Sequence, residues 1–523
     1  DVQLTGEVYL SLFEGASCPE HKLGHIAAAH ATYHMWREGS AGVPATMELQ
    51  ASNASYLSPR AMEMLYAATV ALGIKGVSFF MAVGGSTPPG FENLLGSAYD
   101  VSCPISASGA ERPHAAVIRK LARIVEASER SVMKAEPCYD VWCGYYVPNE
   151  TAALVGQFGE AGAGLTELVR ETFSAGEMGT SAAPSLQVLM ALSSVNAGAV
   201  DLERATGERL AGLRQLWVLS GSCMAEPVQR KLLRYAEQGG DLVVLPGLPR
   251  VSGDGTPCLV LAEAAFGSEP VPAFPGMEAT GSPRSSMVLT AGGERIVVPG
   301  EAAVLPCGLD GRVLARQQET GAPCAVRYSI GAGTLTVLGF RLQYAPTGEL
   351  DHKSFLLSIV EGSGTPRHAG TTNLDMAAMQ LRGPEGGLVC VVNPTEWPQA
   401  SRVVFTGPSG ERLMMPVRLQ ELASDGKGAW LLPVDQPLTA GLVLRHATAE
   451  LLGRRDAGDG VELTFATVPG RASELAITGG PAGCELRGGD LLERGDEEGV
   501  TVVVFRSRDA ETVMRIHARE ERG

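Results

Sequence analysis

Short apolar segments alternate with longer helical segments over the first 135 residues of the chain. Apolar runs bounded by turn residues are typical of buried strands, and Pro or Ser-Pro at the start and Gly at the end are typical helix signals. The predicted order is strand, helix, strand, helix, strand, loop and helix, with elements at residues 7–13, 19–39, 43–49, 58–73, 77–83 and 115–132. Such alternation predicts a parallel sheet. Three β/α units would fill only part of an eightfold (β/α)8 TIM barrel.

The pattern changes twice further along the chain. Residues 136–362 keep strands and helices in alternation and predict a doubly wound α/β domain. Beyond residue 362 short Val, Leu and Thr runs separated by Gly, Pro and Asp predict β-sandwich modules, at residues 363–448 and 449–523. We therefore expect an α/β protein with an all-β C-terminal region.

Charge and cysteine usage limit the class of function. The net charge of −16 would repel nucleic acid and anionic lipid, so a neutral or cationic substrate is expected. The ten cysteines are scattered singly, which favours a reducing compartment and predicts a cytoplasmic protein. No stretch approaches the roughly 18 consecutive apolar residues of a membrane span.

Glu48 is the first candidate for chemistry. It lies in Pro44-Ala-Thr-Met-Glu-Leu-Gln-Ala-Ser52, at the C-terminal end of a predicted parallel strand. In a β/α barrel that end faces the active site. A carboxylate that caps a loop amide or pairs with a neighbouring cation is an equally good interpretation of position alone.

Two segments after Glu48 resemble a known family. Phe80-Met-Ala-Val-Gly-Gly-Ser86, followed by Gly90-Phe91, is similar to the Tyr-Met-Phe-His-Gly-Gly-Thr-Asn-Phe-Gly segment of family 35 glycoside hydrolases. Residues 97–109 resemble that family's Ser-Tyr-Asp-Tyr-Asp-Ala-Pro-Ile-Ser-Glu-Ala-Gly loop, with matches at Tyr99, Asp100, Pro104, Ile105, Ser106 and Gly109. In that family the preceding strand ends in the nucleophilic Glu, which corresponds to Glu48. The resemblance implies that residues 1–135 are the C-terminal part of the catalytic barrel.

The sequence departs from the family pattern at positions that bear on which sugar is the substrate. Val83 stands where the family has His, Val101 where it has Tyr, and Leu49-Gln50 replaces an aromatic pair. The Glu-Leu-Gln-Ala form is more similar to the branch that contains β-galactosidases and exo-β-glucosaminidases, and to family 42.

The resemblance implies a retaining exo-β-glycosidase that removes terminal β-galactosyl residues from oligosaccharides without a cofactor. Removal of β-glucosaminyl residues is the alternative within the family. A non-catalytic carbohydrate-binding or scaffold subunit is the alternative of another class. Candidate substrate-binding residues are Tyr9, Glu14, Gln50 and Phe80, and packing or loop capping is as plausible for Tyr9 and Glu14.

A retaining glycosidase also needs a general acid/base carboxyl group. In the family this residue follows Asn in an Asn-Glu motif on the fourth barrel strand, and the one Asn-Glu here, Asn149-Glu150, lies after the barrel segment. We therefore expect the acid/base to come from an N-terminal barrel portion, either a separate chain or a cleaved fragment.

The middle region resembles the glutamine-amidotransferase-like domain of these β-galactosidases, through its Gly239-Gly-Asp-Leu-Val-Val-Leu-Pro-Gly-Leu-Pro249 run. Cys223 is a conceivable amidase nucleophile, but His352 is the one His in the region and no nucleophile elbow surrounds Cys223. A non-catalytic domain that makes homo-oligomer contacts is expected.

Four histidines follow one another on the predicted helix at 19–39. His21 and His25 form one i, i+4 pair, and His30 and His34 form another. At 100° per residue the two pairs fall on roughly opposite sides of the helix, so no shared metal ion is predicted.

Overall fold

The computed structural model describes residues 5–8, 45–50, 58–90, 98–100, 103–148, 182–221, 223–267, 270, 285–308, 310–342, 349–439 and 441–518. The chain divides into two compact units. The inserted unit comprises residues 139–193 and 197–367, and the flanking unit comprises residues 1–138, 194–196 and 368–523. The four domains expected from the sequence, with boundaries at 135/136, 362/363 and 448/449, stay predictions.

The N-terminal part of the flanking unit contains a parallel three-stranded sheet. Its described elements are β1 Thr5–Val8, β2 Ala45–Gln50, α1 Pro59–Ala71, β3 Gly76–Phe80, β4 Gly85–Ser86, β5 Ala98–Tyr99, α2 Pro113–Ala127, α3 Glu129–Met133 and β6 Glu136–Pro137. β2 lies between β1 and β3 and is parallel to both. The parallel pairing confirms the expected parallel sheet. The helix predicted at residues 19–39 lies outside the described residues, and closure into a barrel stays a prediction.

The prediction of a single helix at residues 115–132 is wrong, because the helical segment is interrupted at Ser128. The structure has two helices, because Ser128 ends α2 and begins α3 with non-helical φ and ψ of −112° and 15°. Serine side chains compete with helical backbone by making hydrogen bonds of their own. Here the Ser128 hydroxyl lies 3.1 Å from the Gln436 amide nitrogen that donates to it.

The sequence of helix α1 contains a start signal at its N-terminus and a stop signal at its C-terminus. The Ser58 hydroxyl accepts a hydrogen bond from the Ala61 amide at 3.2 Å, and Pro59 occupies the first turn, where a missing N–H costs nothing. Gly73, with φ of +89°, follows the last turn in the left-handed conformation that glycine adopts freely. Ten of the thirteen α1 residues are buried, so the helix is packed on several sides.

The inserted unit is built on one mixed nine-stranded sheet. Its described elements are β7 Val141–Tyr145, α4 Ala182–Leu192, β8 Ala197–Asp201, α5 Gly207–Ala211, β9 Gln215–Leu219, α6 Glu226–Glu237, β10 Asp241–Leu245, α7 Val260–Phe266, β11 Ser285–Thr290, β12 Arg295–Pro299, β13 Arg312–Gln317, β14 Pro323–Ile330, β15 Gly333–Leu338 and α8 Glu349–Gly362. The strand order is β12-β11-β13-β14-β15-β10-β9-β7-β8.

Only one side of this sheet has the parallel strands that the predicted doubly wound domain requires. The strands from β15 to β8 pair in parallel. The strands from β12 to β15 form an antiparallel extension. Strand β10 is buried at every position, because it lies inside the sheet and contributes to the main hydrophobic core of this unit.

The C-terminal part of the flanking unit is composed of antiparallel strands. They are β16 Ala369–Thr371, β17 Ala377–Gly383, β18 Gly386–Val392, β19 Gln399–Ser401, β20 Val403–Thr406, β21 Arg412–Met415, β22 Leu422–Ser424, β23 Ala429–Pro437, β24 Val443–Ala447, β25 Glu450–Asp456, β26 Gly460–Ala466, β27 Ala472–Thr478, β28 Gly483–Arg487, β29 Gly489–Glu497, β30 Val500–Ser507 and β31 Glu511–His517. The expected change to β structure beyond residue 362 is confirmed.

One eight-stranded sheet organises this region, in the order β29-β30-β27-β24-β23-β18-β17-β6. It packs against the three-stranded sheet β16-β20-β21 through one apolar core and against the four-stranded sheet β25-β26-β31-β28 through another. The pairing of β24 with β27 carries this sheet across the predicted module boundary at 448/449.

Helices α1 and α2 pack on these C-terminal strands. Helix α1 contacts β17, β18 and β23, and α2 contacts β25. Lys120 of α2 forms ion pairs with Glu63 of α1 and with buried Glu450 of β25. Burial opposes the charged ammonium, but the two carboxylates outweigh it and raise the pKa of Lys120. In the described ranges, no helix is both long and apolar enough to cross a bilayer.

Candidate active site

Glu48 lies at an irregularity in the central strand of the three-stranded sheet. Along β1, Gly6 pairs with Thr46 and the next residue, Glu7, pairs with Glu48. Along β3, Val77 pairs with Thr46, whereas Phe79 pairs with Leu49. Strand β2 therefore carries one extra residue at Met47–Glu48 relative to both neighbours. A bulge of this kind bends a strand and redirects its side chains, and bulges are frequent beside active sites.

Two other predicted site residues meet at the C-terminal ends of their strands. Gln50, the last residue of β2, is the register partner of Phe80, the last residue of β3. Tyr9 and Glu14, the other two candidates, lie outside the described residues, as do Asn149 and Glu150. The structure thus brings Glu48, Gln50 and Phe80 onto adjacent strands of one sheet.

The segment that follows β3 folds back on itself through backbone hydrogen bonds. The Phe80–Met81 peptide bond is cis. Beyond it, the Gly84 amide donates to the Ile105 carbonyl at 2.8 Å, and the Ile105 amide donates to the Ala82 carbonyl at 3.0 Å. Strands β4 and β5 pair with Gly85 opposite Tyr99. The described parts of the two segments that resemble the glycosidase family are therefore joined beyond β3. We call the described residues 81–90, 98–100 and 103–112 the β3 loop.

A fork-shaped ion pair fixes the far side of the β3 loop. The Arg112 guanidinium donates to both carboxylate oxygens of Asp100, at 3.1 and 2.8 Å, and to the carbonyls of Asp100 and Cys103. The Ala107 amide donates to the same carboxylate at 3.1 Å. The hydrogen bond from Arg112 is the main cause of the lowered pKa of Asp100. Two-pronged pairs of this type fix orientation as well as distance.

Gly84 is required by the position of the Asp100 carboxylate. A Cβ atom at residue 84 would lie 1.8 Å from Asp100 Oδ1, which no side chain tolerates. The next residue back, Val83, is 53% exposed and stands where the resembled family has His. Asp100 is predicted from the family motif, whereas Arg112 is not. Its signal, a cation just before the Pro113 that begins α2, is weak by itself.

Cys223 of the inserted unit does not have the environment of an activated thiol. Burial, with a smaller contribution from the Asp254 carboxylate, raises the pKa of the Cys223 thiol. Its Sγ donates to the Ser252 carbonyl at 3.3 Å. The His352 ring is buried and its Nε2 contacts the Val297 carbonyl at 3.0 Å. A nucleophilic cysteine needs the opposite shift, toward thiolate.

Metal sites in proteins are usually formed by clusters of acidic, His and Cys side chains. The described ranges contain no group of three or more such residues that could hold an ion. His21, His25, His30 and His34 lie outside those ranges.

Comparison with known proteins relates the chain to carbohydrate-active enzymes. A family model described as "GLMA-like, second domain" matches residues 164–283. The chain is 30% identical over 516 residues to an exo-β-D-glucosaminidase of Thermococcus kodakarensis, covering 95% of this chain and 60% of that enzyme. It is 30% identical over 517 residues to an exo-β-D-glucosaminidase of Pyrococcus horikoshii, covering 97% of this chain and 60% of that enzyme. The chain spans about 60% of the length of these relatives.

A solved structure shows the same fold. Gan42B, a GH42 β-galactosidase from G. stearothermophilus, is similar with a TM-score of 0.56 at 15% identity, over 82% of this chain and 58% of that chain. At 15% identity this similarity supports a shared fold and nothing more specific. Sequence and fold thus relate this chain to glycoside hydrolases, to exo-β-D-glucosaminidases by sequence and to GH42 β-galactosidases by fold.

Proposed function

We propose that this chain is part of a retaining exo-β-glycosidase that removes terminal β-glucosaminyl residues, with Glu48 as the nucleophile. The observation that carries the proposal is the 30% identity to exo-β-D-glucosaminidases over 95% of the chain. The position of Glu48 at a strand bulge, next to the β3 loop, is consistent with the nucleophile role.

In the proposed reaction the Glu48 carboxylate attacks the anomeric carbon and forms a glycosyl ester. The glycosidic bond breaks, and the departing oxygen takes a proton from a second carboxyl group about 5 Å from the first. Water then attacks the ester with help from that second group, which restores Glu48 and releases the sugar with its original configuration.

A glucosaminyl substrate suits the charge of the chain. The sugar carries an amine that is protonated near neutral pH, and the chain has a net charge of −16. A negative field attracts cationic ligands and raises their local concentration. This argument favours glucosamine over galactose, which is neutral.

A β-galactosyl substrate is the second candidate. It is favoured by the fold, which is shared with a GH42 β-galactosidase. The two candidates differ at ring positions 2 and 4, so the side chains around the ring decide between them. Val83, exposed on the β3 loop, is one position where this chain differs from the resembled family.

We infer that the acid/base carboxyl group comes from sequence outside these 523 residues, whether on a longer polypeptide or on a second chain. The support is the single Asn-Glu pair, Asn149-Glu150, which follows the barrel segment in the sequence. Activity is therefore to be measured on the protein with its whole barrel.

The test compares aryl β-glucosaminide and aryl β-galactoside hydrolysis by the complete protein and by its Glu48→Gln variant. We expect faster hydrolysis of the glucosaminide and a loss of several orders of magnitude on substitution, since the nucleophile is removed. Glu208→Gln, at an exposed carboxylate on α5, is the control and should retain full activity.

A mechanism-based label identifies the nucleophile independently. An activated fluoro-glycoside should modify Glu48, as located by peptide mass spectrometry. Modification of any other carboxylate, or sugar binding with no turnover of either substrate, contradicts the proposal.

A further inference from the structure

Trp397 is the most exposed large apolar side chain in the described part of the chain, at 71%. It lies in the loop that connects β18 to β19 in the flanking unit. Covering this indole with a ligand would be favourable, because it removes apolar surface from water.

The backbone of Trp397 is held firmly. Its carbonyl accepts hydrogen bonds from the side-chain amide of Asn393 at 2.8 Å and from the Thr395 hydroxyl at 3.1 Å. Asn393 also donates to the Asp425 carbonyl at 3.0 Å, which ties this loop to the loop between β22 and β23. Because the exposed indole stands on a braced loop, little backbone freedom is lost when a ligand covers it.

Close packing also joins the two loops. A Cβ atom on Gly426 would lie 2.1 Å from the Glu396 carbonyl oxygen and 3.0 Å from the Trp397 amide nitrogen. The Lys427 amide donates to the Thr395 carbonyl at 2.7 Å. We call residues 393–398 and 425–428 together the tryptophan ledge.

The tryptophan ledge lies at the same end of the three-stranded sheet as Glu48. Arg60, in the first turn of α1, donates to the Gly426 carbonyl at 3.2 Å. Helix α1 connects β2 to the parallel neighbouring strand β3, so its first turn lies where β2 ends. In β/α barrels that end carries the active site.

The chemistry of the ledge fits a sugar ring. The indole offers a flat apolar face. The ledge also contains charged residues, in ion pairs between Lys427 and Glu396 and between Asp425 and Arg471. In β-linked glucosamine every ring substituent is equatorial, so both ring faces present C–H groups that can stack on an aromatic face. Its ammonium group is further attracted by the indole π-system.

We propose that the tryptophan ledge is a binding subsite for a glucosaminyl residue of a β-linked oligosaccharide, distant from the bond that is cleaved, with Trp397 as its stacking platform. The choice of sugar rests on the proposed function. The subsite would make long oligosaccharides bind more tightly than a disaccharide.

The experiment measures binding by calorimetry in the complete protein carrying Glu48→Gln, so that no probe is hydrolysed. The probes are the β-1,4-linked glucosamine hexamer and dimer and a β-1,4-linked galactose hexamer. Trp397→Ala should weaken glucosamine hexamer binding roughly tenfold, the size of one lost aromatic contact, and lower the hexamer's advantage over the dimer by the same factor. Trp397→Phe should restore part of the loss.

Two further variants separate stacking from general disturbance. Gly426→Ala keeps the indole but displaces its backbone, and should also weaken hexamer binding. Val468→Ala removes another exposed apolar side chain of the same unit and should leave hexamer binding unchanged.

Several results would overturn the subsite. The first is equal affinity for the glucosamine hexamer with Trp397 and with Trp397→Ala. The second is equal affinity for the galactose and glucosamine hexamers. The third is that Trp397→Ala changes the oligomeric state and leaves the affinity unchanged. Trp397-dependent hexamer binding by a protein that hydrolyses no β-glucosaminide would support the subsite and refute the proposed function.

Discussion

The Arg112 guanidinium binds both carboxylate oxygens of Asp100, at 3.1 and 2.8 Å, and so connects the residue that precedes α2 to the middle of the β3 loop. The same loop contains Gly84 and the exposed Val83, and it follows the strand next to Glu48. The pair therefore acts as a brace for the loop beside the candidate nucleophile.

Arg112→Lys should loosen the β3 loop, because an ammonium cannot form the two-pronged contact. We expect faster proteolysis within residues 81–112. We also expect weaker binding of a competitive inhibitor of the proposed glycosidase activity. Arg119→Lys is the matched control, since Arg119 pairs with Glu111 on an exposed surface where such pairs contribute little. Equal proteolysis rates for the two variants would contradict the role of the brace.

The same pair predicts an effect of pH. The pKa of Asp100 is lowered in the folded protein, so its contribution is present above the carboxyl's unfolded pKa and is lost as pH falls through the folded value. Proteolysis of the β3 loop should therefore accelerate in acid in the wild type. In Arg112→Lys the acceleration should begin at a higher pH.

Gly84→Ala should disrupt the β3 loop while leaving both charged residues, Asp100 and Arg112, in the sequence. The added methyl would lie 1.8 Å from Asp100 Oδ1 and 3.0 Å from the Ala107 amide nitrogen. We expect reduced activity and a lower Tm. Gly207→Ala is the control, because a Cβ there meets nothing within 4 Å. Unchanged activity of Gly84→Ala would show that the loop accommodates the methyl elsewhere.

Glu474 should dominate the acid stability of the C-terminal sheets. Burial would raise the pKa of its carboxyl, but hydrogen bonds from His446 and from the backbone amides of residues 417–419 lower it. Its stabilisation is thus present above the unfolded carboxyl pKa and is lost as pH falls through the folded pKa.

Glu474→Gln should cost about 3 kcal/mol of unfolding free energy at pH 7, the upper range for hydrogen bonds to a charged group, because the amide cannot replace the carboxylate as acceptor of all these bonds. The difference from wild type in urea unfolding should shrink toward pH 3. Glu485→Gln is the control, since Glu485 makes an exposed contact of 3.4 Å with His517. A constant difference across this pH range would refute the linkage.

Cys223 should react slowly with iodoacetamide at pH 7 in the native protein, because burial raises the pKa of its thiol. Cys223→Ala should leave glycosidase activity and subunit number unchanged, with no glutamine hydrolysis before or after. Glutamine hydrolysis that disappears on substitution would show a working amidase in the inserted unit.

Local sequence signals predicted the parts of this molecule whose determinants are close together in the chain. The strand with Glu48, the capped helix α1 and the two motifs of the β3 loop were all predicted from short local segments. The Asp100–Arg112 pair was missed because neither residue indicates its partner. The break at Ser128 was missed because its hydrogen-bond partner Gln436 lies 308 residues away.

The antiparallel region shows the same limit on a larger scale. Its strands were recognised from their composition, but pairing depends on contacts between distant segments, such as β6 with β17 and β24 with β27. Likewise, Glu474 and His446 are on different strands and have no shared motif. Charged residues that are buried only by tertiary packing give no periodic signal in the sequence.

The packing of α1 on the C-terminal sheet also determines when this helix can finish folding during protein synthesis. Arg60 and its partner Gly426 are 366 residues apart, and the strands that bury α1 are separated from it by the whole inserted unit. At bacterial and eukaryotic translation rates the ribosome needs roughly 20 to 70 s to make that stretch. During this interval the inserted unit can fold, whereas the apolar side chains of α1 that the C-terminal strands later bury stay exposed to solvent. We therefore expect chaperones to bind the nascent segment that contains α1.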